Sequence, residues 1–157
     1  MKRLGIFLVA AMAMTACTST DKKSTDGEMT PEQRKADSLK AVERQKAMAD
    51  TANYTTIQWL DSMSVTLPTA KEGDPVNVSW RFKNTGDKPL VVANVSASCG
   101  CTVPEKPEEP IAPGAEGVIK AKFDSKGKKG HNEKHVTVDA NTKPSRSHEL
   151  EFQVEVQ

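Results

Sequence analysis

Apolar and polar residues alternate with a period of two from Tyr54 to the end of the chain. The alternating segments are short, and turn-forming stretches such as KNTGDKP and PGAEG separate them. Strict alternation predicts β-strands with one buried and one solvated face, as in antiparallel sheets. The positions that this pattern assigns to the core are Ile57, Trp59, Met63, Val65, Leu67, Val76, Val78, Trp80, Phe82, Ile119, Ala121, Phe123, Val136, Val138, Ala140, Leu150, Phe152, Val154 and Val156.

One segment of this region lacks the alternation. The stretch PLVVANVSA, residues 89–97, is apolar on both faces, which predicts a central strand. Six or seven short strands in roughly 100 residues predict an all-β fold, an immunoglobulin-like antiparallel β-sandwich. A chain of this length needs only one hydrophobic core. We therefore assign residues 54–157 to a single sandwich domain.

The preceding residues, 17–53, contain few large apolar side chains. Within them the stretch TPEQRKADSLKAVERQKAMAD begins with a capping box formed by Thr30 and Gln33, which predicts a helix. The helix has no apolar stripe, because its only bulky aliphatic side chains are Leu39 and Val42. We interpret residues 17–53 as a polar, partly helical tether, a solvated spacer before the sandwich. No heptad pattern is sustained, so we expect a monomer.

The first 16 residues have the pattern of a secretory signal peptide. Lys2 and Arg3 precede an uncharged apolar run from Leu4 to Ala16, which is shorter than the approximately 20 residues that a membrane span needs. The run ends at Cys17 and resembles a bacterial lipobox, in which cleavage leaves an acylated cysteine, for example with palmitate. Ordinary cleavage with an incidental Cys17 stays open. Thr18, where inner-membrane retention would favour Asp, points to the outer membrane.

The charge balance excludes one class of partner. The chain has 22 basic and 21 acidic residues, so it has no overall positive field that would attract nucleic acid. We expect no nucleic-acid partner, and we expect contact with the membrane only through the lipid.

Three short motifs resemble the Asp-Ser/Thr-apolar acceptor used for O-glycosylation in Bacteroidota. They place candidate acceptor oxygens at Ser38, Thr51 and Ser62. Coincidence in a region rich in Ser and Thr stays open, because each motif is only three residues long.

Three further motifs occur in order along the sandwich: SCGCT at residues 98–102, PIAPG at 110–114 and FDSKG at 123–127. Together they resemble the family named domain of unknown function 1573, which is common among Bacteroidota lipoproteins. The resemblance covers about residues 76–141. It implies an Ig-like fold related to modules of cilium- and sperm-associated proteins, and it implies no activity.

Cys99 and Cys101 are the only thiols left once Cys17 carries lipid. Strand residues two apart have Cα atoms about 6.6–6.8 Å apart, the upper limit for a disulfide, and Gly100 lets the chain tighten. Disulfides persist in the envelope, which favours a structural bridge. A redox-active pair, buried free thiols and a Cu(I) site stay open. Zinc normally requires four ligands.

Histidine gives this site no further metal ligands. His135 shares its parity with polar residues of one strand, and His131 and His148 lie in or beside loops. We expect all three histidines to be exposed, and we expect no metal and no cofactor.

The sequence contains no Gly-x-Ser-x-Gly elbow, phosphate-binding Gly-rich loop or HExxH motif. The run Asp124-Ser125-Lys126 is typical of a turn that Asp and Ser stabilise. We therefore expect no enzymatic activity.

A candidate binding face lies in the loop SKGKKGH, with Lys126, Lys128, Lys129 and His131. If a short strand lies between Thr102 and Ile111, the cysteines and this loop share one end of the sandwich, where loops carry function. Solvated lysines in a tight turn are the alternative.

These observations favour a lipid-anchored envelope module without enzymatic activity that has a structural role or binds an unidentified envelope protein or glycan. The alternative is a thiol-disulfide or copper-handling protein that uses the Cys99–Gly100–Cys101 pair.

Replacement of Cys17 by Ala should abolish membrane association, because no other residue of the leader can carry the lipid. Metabolic labelling with a fatty-acid probe and fractionation of cells would measure this, with Cys99→Ala as the matched control that keeps its label. Labelling of the Cys17→Ala protein would contradict the assignment.

Overall fold

The computed structural model of the protein describes residues 31–157. The predicted signal peptide, Cys17 and the Thr30 cap lie outside the described residues. Helix α1 is followed by a 3-10 turn and eight strands. Their bounds are α1 Pro31–Ala49, the 3-10 turn Thr51–Asn53, β1 Ile57–Trp59, β2 Ser64–Thr66, β3 Pro75–Asn84, β4 Val92–Ala97, β5 Thr102–Glu105, β6 Glu116–Asp124, β7 Gly130–Ala140 and β8 Ser147–Val156. Along this part of the chain, no helix is long and apolar enough to cross a membrane.

The strands form two four-stranded sheets that pack face to face. The first sheet has the order β1-β3-β6-β5 and the second has the order β2-β8-β7-β4. The predicted sandwich is therefore confirmed. One pairing departs from the antiparallel prediction, because β2 runs parallel to β8. The chain crosses from the first sheet to the second between Trp59 and Ser64. β2 then lies at the edge of the second sheet and runs in the same direction as β8.

The core between the sheets consists of the alternating residues. Trp80, Phe82, Phe123 and Phe152 have no exposed surface. The Phe152 ring packs against Trp80 at 6.3 Å and against Phe123 at 6.0 Å between centroids, so the two sheets meet through aromatic contacts. The predicted inward parity is confirmed for β3, β6, β7 and β8.

Met63 was assigned to the core, and this prediction is wrong. Its side chain is 38% exposed. Met63 lies in the crossing between the two sheets and not in a strand, so the period of two does not apply to it. Its carbonyl accepts a hydrogen bond from the Glu151 amide at 2.7 Å, which guides the crossing chain onto β8.

The apolar segment 89–97 was predicted to be a central strand, and this prediction is also wrong. β4 lies at the edge of its sheet and pairs only with β7. Its register shifts between Val92 and Asn94, so Val92 and then Val95 face the core across the irregularity. On its other face, helix α1 lies beside the start of the strand, where Met48 is 8% exposed and shares a cleft with Ala93, whereas Asn94 and Ser96 are exposed. The apolar residues on this second face therefore indicate contact with helix α1 and not a second neighbouring strand.

The predicted helix is confirmed, but it is not solvated throughout. Leu39 and Val42 are exposed, as expected for a spacer. In the second half, the Arg44 guanidinium pairs with the Glu108 carboxylate, and Lys40 Nζ lies 2.9 Å from Glu109 Oε1. The expectation of a fully solvated spacer is therefore wrong for the last turns of the helix.

Two buried asparagines fix the loops at the end of the sandwich where β3 finishes. Asn84 Nδ2 donates to the carbonyls of Lys88 and Ile111 at 2.8 and 2.9 Å. Asn141 Nδ2 donates to the carbonyls of Asn53 and Pro89 at 2.7 and 3.0 Å. Each asparagine side chain thereby joins two separate loop segments through their backbone carbonyls.

Replacement of Trp80 by Ala should lower the free energy of unfolding by about 3–5 kcal/mol through lost burial and a cavity. Phe152→Ala should behave similarly. Denaturant unfolding would measure both. Val118→Ala on the outer face of β6 is the control and should cost less than about 1 kcal/mol. A Trp80→Ala protein as stable as this control would show that the indole is not in the core.

Candidate functional site

The two cysteines lie in the turn that carries the chain from the second sheet to the first. β4 ends at Ala97, and β5 begins at Thr102 in the opposite sheet. A disulfide joins Cys99 and Cys101, whose Cα atoms are 5.3 Å apart. The Thr102 amide donates to the Cys99 carbonyl at 3.3 Å, so the segment is a tight turn and not an extended strand. We refer to residues 98–101 as the cysteine turn.

The cysteine turn is hydrogen-bonded to both sheets. The Ser98 amide donates to the His135 carbonyl of β7 at 3.0 Å. The Asp124 amide at the end of β6 donates to the Cys101 carbonyl at 2.8 Å. The predicted short strand between Thr102 and Ile111 exists as β5, and the cysteine turn lies beside Asp124, where the loop of residues 125–129 begins.

The lysine-rich loop, residues 125–129, is fixed at its base by Ser125. This side chain is fully buried. Its hydroxyl donates to the Asp74 carbonyl at 2.7 Å and accepts from the Gly73 amide at 2.9 Å. Asp124 Oδ1 accepts from the Lys126 amide at 3.0 Å. The interpretation of Asp124-Ser125-Lys126 as a turn is confirmed. The Ser125 hydroxyl forms its hydrogen bonds with backbone groups.

The positive charge of the loop is partly balanced by an acidic residue that sequence reasoning missed. Glu72 accepts from the Gly127 amide at 3.1 Å and lies 3.5 Å from Lys129 Nζ. The exposed Lys126 and Lys128 have no carboxylate partner within residues 31–157. Glu72 precedes a Gly-Asp turn in the sequence, and no spacing rule connects it with a loop 55 residues later.

His131 and His135 are close to carboxylates on the solvent side. His131 is the second residue of β7 and is exposed, with Nδ1 3.8 Å from Glu155 Oε2. His135 lies between Glu133 and Glu149, with ring nitrogen to carboxylate distances of 3.2 and 2.8 Å. Among the described residues, neither histidine forms a hydrogen bond with a cysteine sulfur, and no set of three His, Cys, Asp or Glu side chains could hold a metal ion.

His148 was expected to be exposed, and this prediction is wrong. Its ring packs edge-to-face against Trp59 at 5.9 Å between centroids, and Nε2 lies 2.8 Å from Thr142 Oγ1. Burial lowers the pKa of His148, and the Asp139 carboxylate opposes this in part. Its contact with Trp59 joins strands of different sheets, which the parity of β8 alone does not reveal.

The three candidate glycosylation sites lie apart from one another along the chain. Ser38 is on α1 and Thr51 is in the 3-10 turn, whereas Ser62 is between β1 and β2. All three are exposed. The Ser38 and Ser62 hydroxyls each donate to a nearby carbonyl at 2.7 Å. Their glycosylation stays a prediction.

The β-sandwich and its cysteine turn correspond to a known family. The model of the family described as "Protein of unknown function (DUF1573)" matches residues 58–156. The chain belongs to the DUF1573 family. The match includes the cysteine turn and the lysine-rich loop and does not include helix α1. No relative was found among curated proteins.

Solved structures with similar coordinates show the fold. A protein of unknown function from Porphyromonas gingivalis W83 is 14% identical, with a TM-score of 0.58, over 68% of this chain and 49% of that chain. The chain thus spans about half the length of that protein. The ASH/PapD-like domain 7 of human CEP192 is also 14% identical, with a TM-score of 0.50, over 67% of this chain and 86% of that chain. The DUF1573 domain is therefore similar to PapD-like sandwiches.

The Cys99–Cys101 bridge should contribute little to stability, because disulfide stabilisation grows with the length of the closed loop. Cys99→Ser should lower the free energy of unfolding by only about 1–2 kcal/mol. Denaturant unfolding would measure this against Ser98→Ala. Mass spectrometry after alkylation tests the bridge itself, and full labelling of both thiols without reductant would show that the mature protein lacks it.

Proposed function

We propose that this DUF1573 protein is a lipid-anchored module of the cell envelope that binds another envelope protein without catalysing a reaction. The binding surface is the end of the sandwich formed by the cysteine turn and the lysine-rich loop. The observation that carries this proposal is the rigid mounting of that end: Ser125 locks the loop to the 71–74 turn, and Asp124 ties it to the cysteine turn.

Rigid mounting favours binding because a preorganised surface loses little conformational entropy when a partner docks. Loops held by a stable scaffold are the usual location of binding residues. Lys126 and Lys128 extend from this scaffold without a carboxylate partner among the described residues. They provide two positive charges that an acidic partner would complement.

A protein partner suits this surface better than a glycan. Small-molecule sites are commonly lined by aromatic side chains. The large hydrophobic side chains exposed within residues 31–157 are aliphatic or Met, and none is aromatic. The proposal of a lipid anchor at the outer membrane is supported by the leader pattern, Cys17 and Thr18.

Thiol-disulfide exchange is the second candidate, and one observation favours it. Both Cys99 and Cys101 are only half-buried, so an attacking thiolate would have access to the bridge. As a disulfide, the pair offers no thiolate to copper, and a copper-handling role would first require reduction of the bridge.

Photo-crosslinking in native cells would test the binding surface, with a crosslinkable residue in place of Lys128. We expect Lys128 to capture a specific envelope protein. Lys88 is the matched control, because it is an exposed lysine in the loop that follows β3 at the opposite end. Equal capture from both positions, or capture from neither, would contradict the proposal. Mixed disulfides trapped by Cys99→Ser or Cys101→Ser would instead support thiol exchange.

A further inference from the structure

β7 is longer than β4, its neighbour on one side. It runs from Gly130 to Ala140, and β8 pairs with it from Gly130 to Asp139. On the other side, β4 pairs only with residues 136–140, because the chain leaves the sheet at the cysteine turn. The first part of β7, residues 130–134, therefore has a neighbouring strand on one side only. We refer to this part as the open edge.

The direction of the backbone groups on the open edge follows from the bonds on either side. The His135 carbonyl accepts from Ser98, so residue 135 directs its N–H and C=O groups toward the β4 side. Residues two apart along a strand direct these groups to the same side. His131 and Glu133 therefore direct theirs into the space that β4 vacates. Over the described chain, neither residue has a backbone hydrogen bond on that side.

These groups form a short row with the geometry of a strand edge. Each of the two residues provides one donor and one acceptor, and they are about 7 Å apart at roughly 3.4 Å per residue. Asn132 Nδ2 donates to the carbonyls of Lys128 and Gly130 at 2.6 and 2.9 Å, which fixes the start of β7 to the lysine-rich loop. The open edge is therefore held in place at both of its ends.

Lys134 provides the positive charge on the inner side of the open edge, whereas the Glu133 carboxylate points outward and pairs with His135. The parity of Lys134 directs its side chain toward the interior, where Nζ lies 5.4 Å from the centre of the Phe123 ring. No carboxylate of the described residues pairs with it. An inward-pointing lysine discourages the addition of an apolar strand. A strand that placed a carboxylate opposite Lys134 would gain a charged hydrogen bond in a partly desolvated site.

We propose that an extended acidic segment of the partner protein adds to the open edge as a strand, in line with β4 beyond Ser98. This inference rests on the proposed function and names how the same end of the DUF1573 module holds its partner. The segment forms backbone hydrogen bonds with His131 and Glu133, which is the strand-addition mode of peptide recognition. Lys134 selects a carboxylate on the inner side of the segment, and Lys128 favours further negative charge outside it.

Amide hydrogen exchange measured by NMR on the mature chain tests the edge and its occupant. In the free protein, the amides of His131 and Glu133 should exchange at least ~10-fold faster than those of Asn132 and Lys134, which bond to β8. The probe is a seven-residue peptide of alternating Glu and Thr. It should slow exchange at His131 and Glu133 at least ~10-fold, consistent with new backbone hydrogen bonds.

Two control peptides separate strand addition from simple charge attraction. The same Glu/Thr peptide with N-methyl groups on alternate residues keeps its charge but lacks half of its donors, and it should give no protection. A peptide of alternating Lys and Thr should also fail, because it presents ammonium groups to Lys134. Equal protection by all three peptides would overturn the proposal.

Glu133→Pro removes the N–H group that faces the open edge and leaves the bonds of its neighbours to β8 in place, since proline is tolerated where its nitrogen faces away from the ladder. Its matched control is Glu133→Ala, which keeps the amide. We expect the Glu/Thr peptide to bind the Ala variant and not the Pro variant. Lys134→Met should weaken binding several-fold, whereas Lys88→Met should not. If the Pro variant does not fold, the N-methylated peptide still decides the question.

Three further results would overturn the inference. Slow exchange at His131 and Glu133 in the free chain at every concentration would show that the chain covers its own edge. Protection that rises with protein concentration would show that a second copy occupies it. Capture of a partner from Lys128 together with failure of the Glu/Thr peptide would leave the proposed function in place and exclude strand addition.

Discussion

The early departure of the chain from the second sheet, at the end of β4, is the constraint on which the site depends. β4 ends at Ala97 and β5 begins at Thr102 in the first sheet, so the chain crosses between the sheets within four residues. The paired strand β7 extends beyond the end of β4, as far as Gly130. The cysteine turn makes this crossing and delivers β5 to the edge of β6. The same departure leaves one side of β7 without a neighbour, and there Lys134 lies over the Phe123 ring, which has no exposed surface.

The disulfide lies within this crossing and acts only on its local shape. A bridge between residues two apart closes a very small ring, so it fixes the shape of the turn and does not staple distant strands. Two backbone bonds, to His135 and from Asp124, then hold that shape against both sheets. This turn of fixed shape and the lysine-rich loop beside it form the proposed binding surface.

Helix α1 packs beside β4, which is an edge strand of the second sheet. An uncovered edge strand with apolar side chains invites aggregation, and a helix is one way to cover it. The Lys40–Glu109 ion pair is solvent-exposed, and such a pair contributes little to stability. The Arg44 side chain is only 19% exposed and donates to both the carboxylate and the carbonyl of Glu108. Among the described side chains of the helix, Met48 is the one large apolar side chain that is buried, and full burial of such a side chain is worth about 1.5–3 kcal/mol.

The alternation of side chains was sufficient to predict the sandwich and its inner face, since the period of two reports directly which side of a strand is buried. Trp80, Phe123 and Phe152 were found in this way, and the spacing of Cys99 and Cys101 made a small-ring bridge conceivable. The edge position of β4, the burial of His148 and the open edge of β7 emerged only from the tertiary structure. A strand's own sequence encodes its buried face, but its neighbours are set by chain segments tens of residues away. The order of the strands therefore decided where the sheet ends and which backbone groups are left free.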